Sequence, residues 1–263
     1  MSKLERNLVK HISRANRRFS LIEENDRIMV AVSGGKDSWG LLSLLRAYRK
    51  LVPFSFELVA VTLDQGQPGF DGDALEAYYK DQGYEYRVVY RDTYSVVLDK
   101  TPEGKSFCAL CSRMRRGILY TQAKSLGANK IALGHHRDDL IETLLLNQFY
   151  SGRIRSMAPR LPDSADGPMI IRPMVTIPET SLIEYARDNQ FPIIPCNLCG
   201  SQENLKRKEV KTLLQQLEQT NPRIRGNLLA SLSNIEPSHL LGHVQADQEQ
   251  TLVQIEDAAA DQV

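Results

Sequence analysis

The chain has 263 residues, room for one large domain or a domain with a small companion, and its 42% hydrophobic and 25% charged content excludes a disordered or fibrous protein. No apolar run reaches the roughly 18 residues of a membrane span, and Met1-Ser2-Lys3-Leu4-Glu5-Arg6 lacks an apolar leader core, so a cytoplasmic protein is expected. The net charge of +1 hides an asymmetry: all 33 basic residues but only 26 of the 32 acidic ones lie in residues 1–225, which therefore carry +7 and suit a polyanionic partner.

Residues 2–19 read as a basic amphipathic helix, with Leu4, Leu8, Ile12 and Ala15 on one face and Arg6, Lys10, Arg14 and Arg17 on the other. Residues 1–24 are thus expected to form an N-terminal extension, either docked on the body or facing RNA. Arg27–Val32 is an apolar run of the kind that forms a buried parallel strand, and Trp39–Leu51 carries Leu41, Leu42, Leu44, Leu45 and Tyr48 at helical spacing. Between them stands Ser33-Gly34-Gly35-Lys36-Asp37-Ser38. Two glycines allow backbone N–H groups to approach an anion, and the helix N-terminus adds donors and partial positive charge. Two hydroxyls and an ammonium complete a phosphate cradle. The spacing is not that of a Walker A loop, which needs four residues between its first glycine and Gly-Lys-Ser/Thr.

A second strand is expected over Ser55–Leu63, followed by the Gly- and Pro-punctuated loop Asp64–Gly69, a helix over Asp71–Gln82 and a strand over Glu85–Tyr90. Alternating strands and helices at this pitch predict an α/β fold, a parallel sheet with helices on both faces. Ligands in such sheets sit beyond the strand C-termini, the edge where Ser33 and Asp64 would lie. A loop with Pro102 and Gly104 leads to Cys108-Ala109-Leu110-Cys111, which opens a helix through Lys124 carrying Arg113, Arg115 and Arg116. Lys130–Leu133 is another buried strand, ending in Gly134-His135-His136-Arg137-Asp138-Asp139, which opens a helix through Phe149. Asp138 and Asp139 can be explained as carboxylates favoured by the helix dipole, and the histidines as hydrogen-bonded packing residues. Their place on the phosphate-loop edge gives them an equal claim to a functional role.

Ser151–Arg172 reads as a basic loop with Arg153, Arg155 and Arg160, suited to pairing nucleic-acid phosphates. Helices are expected over Pro178–Asn189, from Leu205 through Leu217 and over Asn221–Ser233. A catalytic domain is expected over residues 25–240, and residues 241–263 are expected to form a mobile acidic tail. The four cysteines form two Cys-x-x-Cys pairs, Cys108/Cys111 and Cys196/Cys199, too far apart for a compact zinc ribbon. On spacing alone, a four-thiolate zinc and an iron–sulfur cluster stand level.

The phosphate-loop hexapeptide resembles the PP-loop of ATP pyrophosphatases, which split ATP between the α- and β-phosphates. With Cys108-x-x-Cys111-Ser112-Arg113, Gly134–Asp139 and Pro195–Gln202, the ordered set resembles the TtcA-type tRNA 2-thiocytidine synthetases of that superfamily, over residues 25–210. That resemblance implies a PP-loop domain with short helical N- and C-terminal extensions, and ATP-dependent replacement of a cytidine O2 by sulfur in the tRNA anticodon loop. It implies ATP bound by Ser33, Gly34, Gly35, Lys36, Asp37, Ser38, Asp64, Gly134 and His135, with Mg²⁺ on Asp37. It also implies a [4Fe-4S] cluster on Cys108, Cys111 and Cys199, with Cys196 as the spare thiol. Lys36, Arg115 and Asp138 are the catalytic candidates; Asp138 is also a less favoured Mg²⁺ ligand. The partners implied are tRNA, a cysteine desulfurase or sulfur carrier, and a second copy of the chain. Two other readings are another PP-loop tRNA-modifying enzyme, such as one making 2-thiouridine, and a zinc-stapled ATP- and RNA-binding protein without chemistry of its own.

Overall fold

A computed structural model describes residues 1–101, 108–162, 167–194 and 202–241, with backbone alone at 108–109 and 202–204. Its contacts divide the chain into two units, Met1–Arg225 and Gly226–Val263. The first contains everything discussed below. The described part of the second holds the end of a short helix and a 3-10 turn at Pro237–His239.

The first unit is built on a sheet whose strands, in chain order, are β1 (Arg27–Ala31), β2 (Glu57–Asp64), β3 (Tyr86–Tyr90), β4 (Lys130–Ala132), β5 (Arg160–Leu161) and β6 (Met169–Ile171). Their spatial order is β3-β2-β1-β4-β6-β5, parallel throughout except for the antiparallel edge strand β5. The helices are α1 (Lys3–Phe19), α2 (Lys36–Arg49), α3 (Gly72–Asp81), α4 (Tyr94–Lys100), α5 (Cys108–Ser125), α6 (Arg137–Ser151), α7 (Glu179–Asp188), α8 (Gln202–Thr220) and α9 (Ile224–Ser231), the last crossing the boundary between the units. The central strands β1 and β2 are apolar and buried through their middles, Ile28–Val30 and Leu58–Val61, because both faces are covered there. On one face Met29, Val59, Val61, Val89 and Ile131 pack with Ala123 and Ala128, while Ile118 and Leu119 of α5 lie against them.

The predicted N-terminal helix forms with the expected faces: Leu8, Ile12 and Ala15 are buried and Arg6, Lys10, Arg14 and Arg17 exposed. It packs against α2 and α7 as part of the first unit. Buried Asn16 fixes its end, donating to Ile22 O and Tyr48 Oη at 3.0 Å and accepting from Ile22 N–H.

Three elements depart from the sequence reading. Ser151–Arg172 is not loop throughout, since β5 and β6 lie within it. Met169–Ile171 is three residues between Pro168 and Pro173, too short to display a period; what makes it a strand is the pairing of Ile170 with Ile131 on β4. The sequence reading also has no helix at α4, which is only seven residues long, too short to show a helical period.

The strand order matters for function. The chain runs outward from β1 to β2 and β3, then returns to place β4 on the other side of β1. The reversal between β1 and β4 is a topological switch point, where the loops leaving two neighbouring strands diverge and leave a crevice for a ligand.

Candidate functional site

The phosphate loop leaves β1 at this crevice. Gly34 has φ +84°, a left-handed conformation that L side chains rarely adopt, and its carbonyl accepts from Ile194 N–H at 3.0 Å. Ser38 closes the loop: its hydroxyl accepts from Ser33 N–H at 3.1 Å and donates to Gly35 O at 2.9 Å. Gly35 is the N-cap of α2 and offers no side-chain oxygen to the first turn, so the N–H groups there suit an anion.

The β4–α6 loop faces it across the switch point. A Cβ on Gly134 would stand 3.1 Å from the backbone C and O of Asp37 and from Ser38 N. Gly134, expected among the nucleotide contacts, is thus the residue that lets the two loops interlock. His136 N-caps α6 in a capping box with Asp139, whose carboxylate accepts from His136 N–H at 2.9 Å. Asp64, at the end of β2, accepts from Gly66 N–H at 2.8 Å and lies on the same sheet edge.

Lys36 Nζ bridges both oxygens of Asp37 (3.0 and 2.9 Å) and Glu179 Oε1 (3.2 Å). Burial lowers the Lys36 pKa, but Asp37 and Glu179 outweigh it and hold the ammonium charged. Glu179 Oε2 also pairs with Lys211 at 2.6 Å. Asp138 is buried with both oxygens engaged. Oδ1 accepts from Arg225 at 2.8 Å and Arg137 at 3.2 Å, and Oδ2 accepts from Glu179 N–H at 2.8 Å. Burial pushes its pKa up, but the Glu179 N–H and the two guanidiniums prevail and hold it below the usual carboxylate range.

Sequence reasoning missed Glu179, Arg207, Lys211 and Arg225, because on their own helices they look like ordinary surface charges. Glu142 was missed too. It is buried on α6, its Oε1 has no partner among the described residues, and its Oε2 is 3.8 Å from Arg207 Nε. Burial is the main cause that pushes its pKa up to about 7; Lys211 and Arg207 oppose, while Asp139 and Glu179 add to the rise. A carboxyl with a raised folded pKa costs stability above its unfolded pKa, in full once the pH exceeds the folded value. Glu142→Gln should therefore raise the melting temperature at pH 8, with the gain vanishing as the pH falls toward 4. Melting curves across that range check it; a gain that persists unchanged at pH 4 contradicts the raised pKa.

Beside the switch point opens a cavity of about 1170 Å³. His135, next to Gly134, is on its wall, as are Cys111 and Arg115 of α5. Arg116, Arg155 and Arg172 also line it, with an apolar floor from residues such as Leu119, Leu133 and Ile170, and no Asp or Glu among its described lining residues. Arg113 projects elsewhere, into a separate shallow pocket with Arg91. Cys111 Sγ donates to Gln65 Oε1 at 3.4 Å, and Cys108 begins α5 one turn before it. A thiol on the cavity wall with a second cysteine one turn earlier fits an iron–sulfur ligand pair by its donor chemistry. Cys196 and Cys199 lie outside the described residues.

Comparison with known proteins agrees with this geometry. The PP-loop domain family matches residues 2–195. The chain is 50% identical over 242 residues to a tRNA-cytidine(32) 2-sulfurtransferase of Tolumonas auensis, covering 92% of this chain and 80% of that one. It is 48% identical over 241 residues to the protein of the same name from Coxiella burnetii, covering 92% and 94%. Among solved structures, the U34-tRNA thiolase NcsA from Methanococcus maripaludis with its [4Fe-4S] cluster superposes with a TM-score of 0.67 at 24% identity, over 89% of this chain and 81% of that one, a likeness of fold. With a phosphate loop at the switch point and relatives this similar over most of its length, the chain belongs to the PP-loop family and, within it, to the tRNA-cytidine(32) 2-sulfurtransferases.

Proposed function

We propose that the chain uses ATP to thiolate a tRNA cytidine at C2. The observation that carries this reading is the meeting, through Gly134 and His135, of a phosphate loop with an arginine-lined cavity that has no carboxylate among its described lining residues. In the first step the cytidine O2 attacks the ATP α-phosphorus; the O2–P bond forms, the bond to the β-phosphate bridging oxygen breaks, and pyrophosphate leaves. Sulfide then adds at C2 and the C2–O2 bond breaks, so that O2 departs with AMP. Activation is needed because a bare carbonyl oxygen is a poor leaving group.

The chain's own groups serve the first step by position and charge. The N–H groups at the start of α2 and the Lys36 ammonium stabilise negative charge on the phosphates. Asp37 offers carboxylate oxygens beside them for Mg²⁺, which takes hard oxygen ligands. Asp138 acts as a positioning group, holding the start of α7 and so Glu179 against Lys36. Arg115 and Arg116 supply charge for the tRNA backbone or for the activated phosphate, and the cavity volume suits a base splayed from its stack. Cys108, Cys111 and Cys199 would hold a [4Fe-4S] cluster, which supplies an iron without a protein ligand as the open position for sulfur. The same reading has a homodimer in the cytoplasm, with sulfur supplied by a cysteine desulfurase or a carrier it loads.

Nucleoside analysis of tRNA from cells lacking the protein tests this reading directly: 2-thiocytidine should disappear and return with the wild-type gene. Persistence of 2-thiocytidine overturns it. Cys199→Ala should lose the iron and brown colour of anaerobically purified protein, whereas Cys196→Ala should keep both. The reverse result reassigns the third thiolate.

A further inference from the structure

Arg172 directly follows β6 and is buried on the cavity wall. It forms no ion pair with a carboxylate among the described residues. Its Nη1 donates to Ala158 O, and its backbone N–H to Pro159 O at 2.8 Å. Its Nε donates to His135 Nδ1 at 3.2 Å. A guanidinium has five N–H donors and no acceptor, so in this bond the imidazole can only accept. The Nδ1 lone pair is thereby committed, and the ring proton must sit on Nε2.

From this geometry we infer that Arg172 is a positioning residue for the thiolation reaction: it locks His135 as the Nε2–H tautomer, a neutral donor held where the phosphate loop meets the cavity. The inference rests on the reading proposed above for what binds there. Gly134 seats the preceding peptide against Asp37 and Ser38, so His135 stands between the loop and the arginine-lined space. A donor fixed there suits a phosphoryl oxygen of the nucleotide as charge builds on it. The environment agrees. Burial is the main cause that holds the ring pKa near 4, followed by Arg172; His136 and Arg207 also lower it, and Asp139 alone among the neighbouring charges opposes them. Among so many cations an imidazolium would be repelled, whereas a neutral N–H donates without having to gain or lose a proton.

The test joins a structural readout to a kinetic one on the full-length, cluster-loaded protein. Nitrogen-15 NMR of the histidine side chains, five in all, with His135 assigned through His135→Gln, reports tautomer and charge. The wild-type ring should remain neutral and protonated at Nε2 from pH 5.5 to pH 8.5. Arg172→Met should raise the pKa of His135 and free its Nδ1, while burial still holds the ring below the ordinary histidine value of about 6.5. Single-turnover thiolation should then fall by roughly 10–100-fold, the size of effect seen for outer-shell partners of metal-ligating histidines. The loss should acquire a pH dependence that follows the ring, and Arg172→Lys should restore part of the rate. An Nδ1–H tautomer or an imidazolium at pH 7 in the wild type overturns the inference, even if the variants fail to fold. So does an Arg172→Met protein with unchanged tautomer and pH profile. If the wild type makes no 2-thiocytidine, the proposed function fails, and the tautomer measurement still decides whether Arg172 sets the state of His135.

Discussion

Replacing Lys36 by Met should reduce single-turnover thiolation by roughly 10²–10³-fold, the loss usual when one preorganised charge-stabilising donor is removed. Iron content and tRNA affinity should stay near wild type, because the Lys36 ammonium forms ion pairs only with Asp37 and Glu179 among the described residues. The deficit should lie in the turnover rate more than in the apparent ATP affinity, since the ammonium matters most as charge shifts onto the departing pyrophosphate. The folded protein should be little altered: Glu179 keeps its 2.6 Å bond to Lys211. Rapid-quench assays of pyrophosphate release and 2-thiocytidine formation would measure this. Pyrophosphate release at the wild-type rate would remove the lysine from the activation step.

Replacing Arg225 by Met should have the largest effect on stability. The guanidinium pairs with Asp138 at 2.8 Å, and both side chains are largely buried. Removing one member of a buried pair strands the other, at a typical cost of about 3–5 kcal/mol. Arg137 at 3.2 Å and the Glu179 N–H remain on Asp138, which argues for the lower end. At about 2–4 °C per kcal/mol for a chain of this size, the melting temperature should drop by about 10 °C. The drop should shrink as the pH falls and the stranded carboxylate takes up a proton. Asp138→Asn added to Arg225→Met should recover part of the loss at neutral pH. A double variant no more stable than the Arg225 single variant would show that burial of the charge is not the cause.

Much of the architecture was legible because it is written locally. The apolar run Arg27–Val32 and the helical period from Trp39 flank the glycine pair, so the loop between them reads as a turn onto a helix start. What escaped is what depends on contacts distant in sequence. Nothing in Met169–Ile171 announces a strand until Ile131 is beside Ile170. The strand order that makes β1 and β4 neighbours is also nonlocal. Within the site, the Ser33–Ser38 cradle could be read from its residue types and place between strand and helix, whereas roles for Cys111 and Arg115 rested on the family resemblance. Glu179 could not: after Pro178 it reads as an acidic residue opening a helix, and only the fold brings Lys36 to it from 143 positions away. The part played by Gly134 was equally hidden, since the sequence does not say which backbone lies against it.

The shared carboxylate of Glu179 bears on how the loop is refilled. It grips two ammonium groups at once, and the shorter bond, 2.6 Å to Lys211, is the one that does not involve the loop. A side chain with a single counterion would become a repulsive neighbour the moment that counterion turned toward an arriving triphosphate. Here Lys36 is free to change allegiance, and the acid it leaves behind stays neutralised from the opposite side.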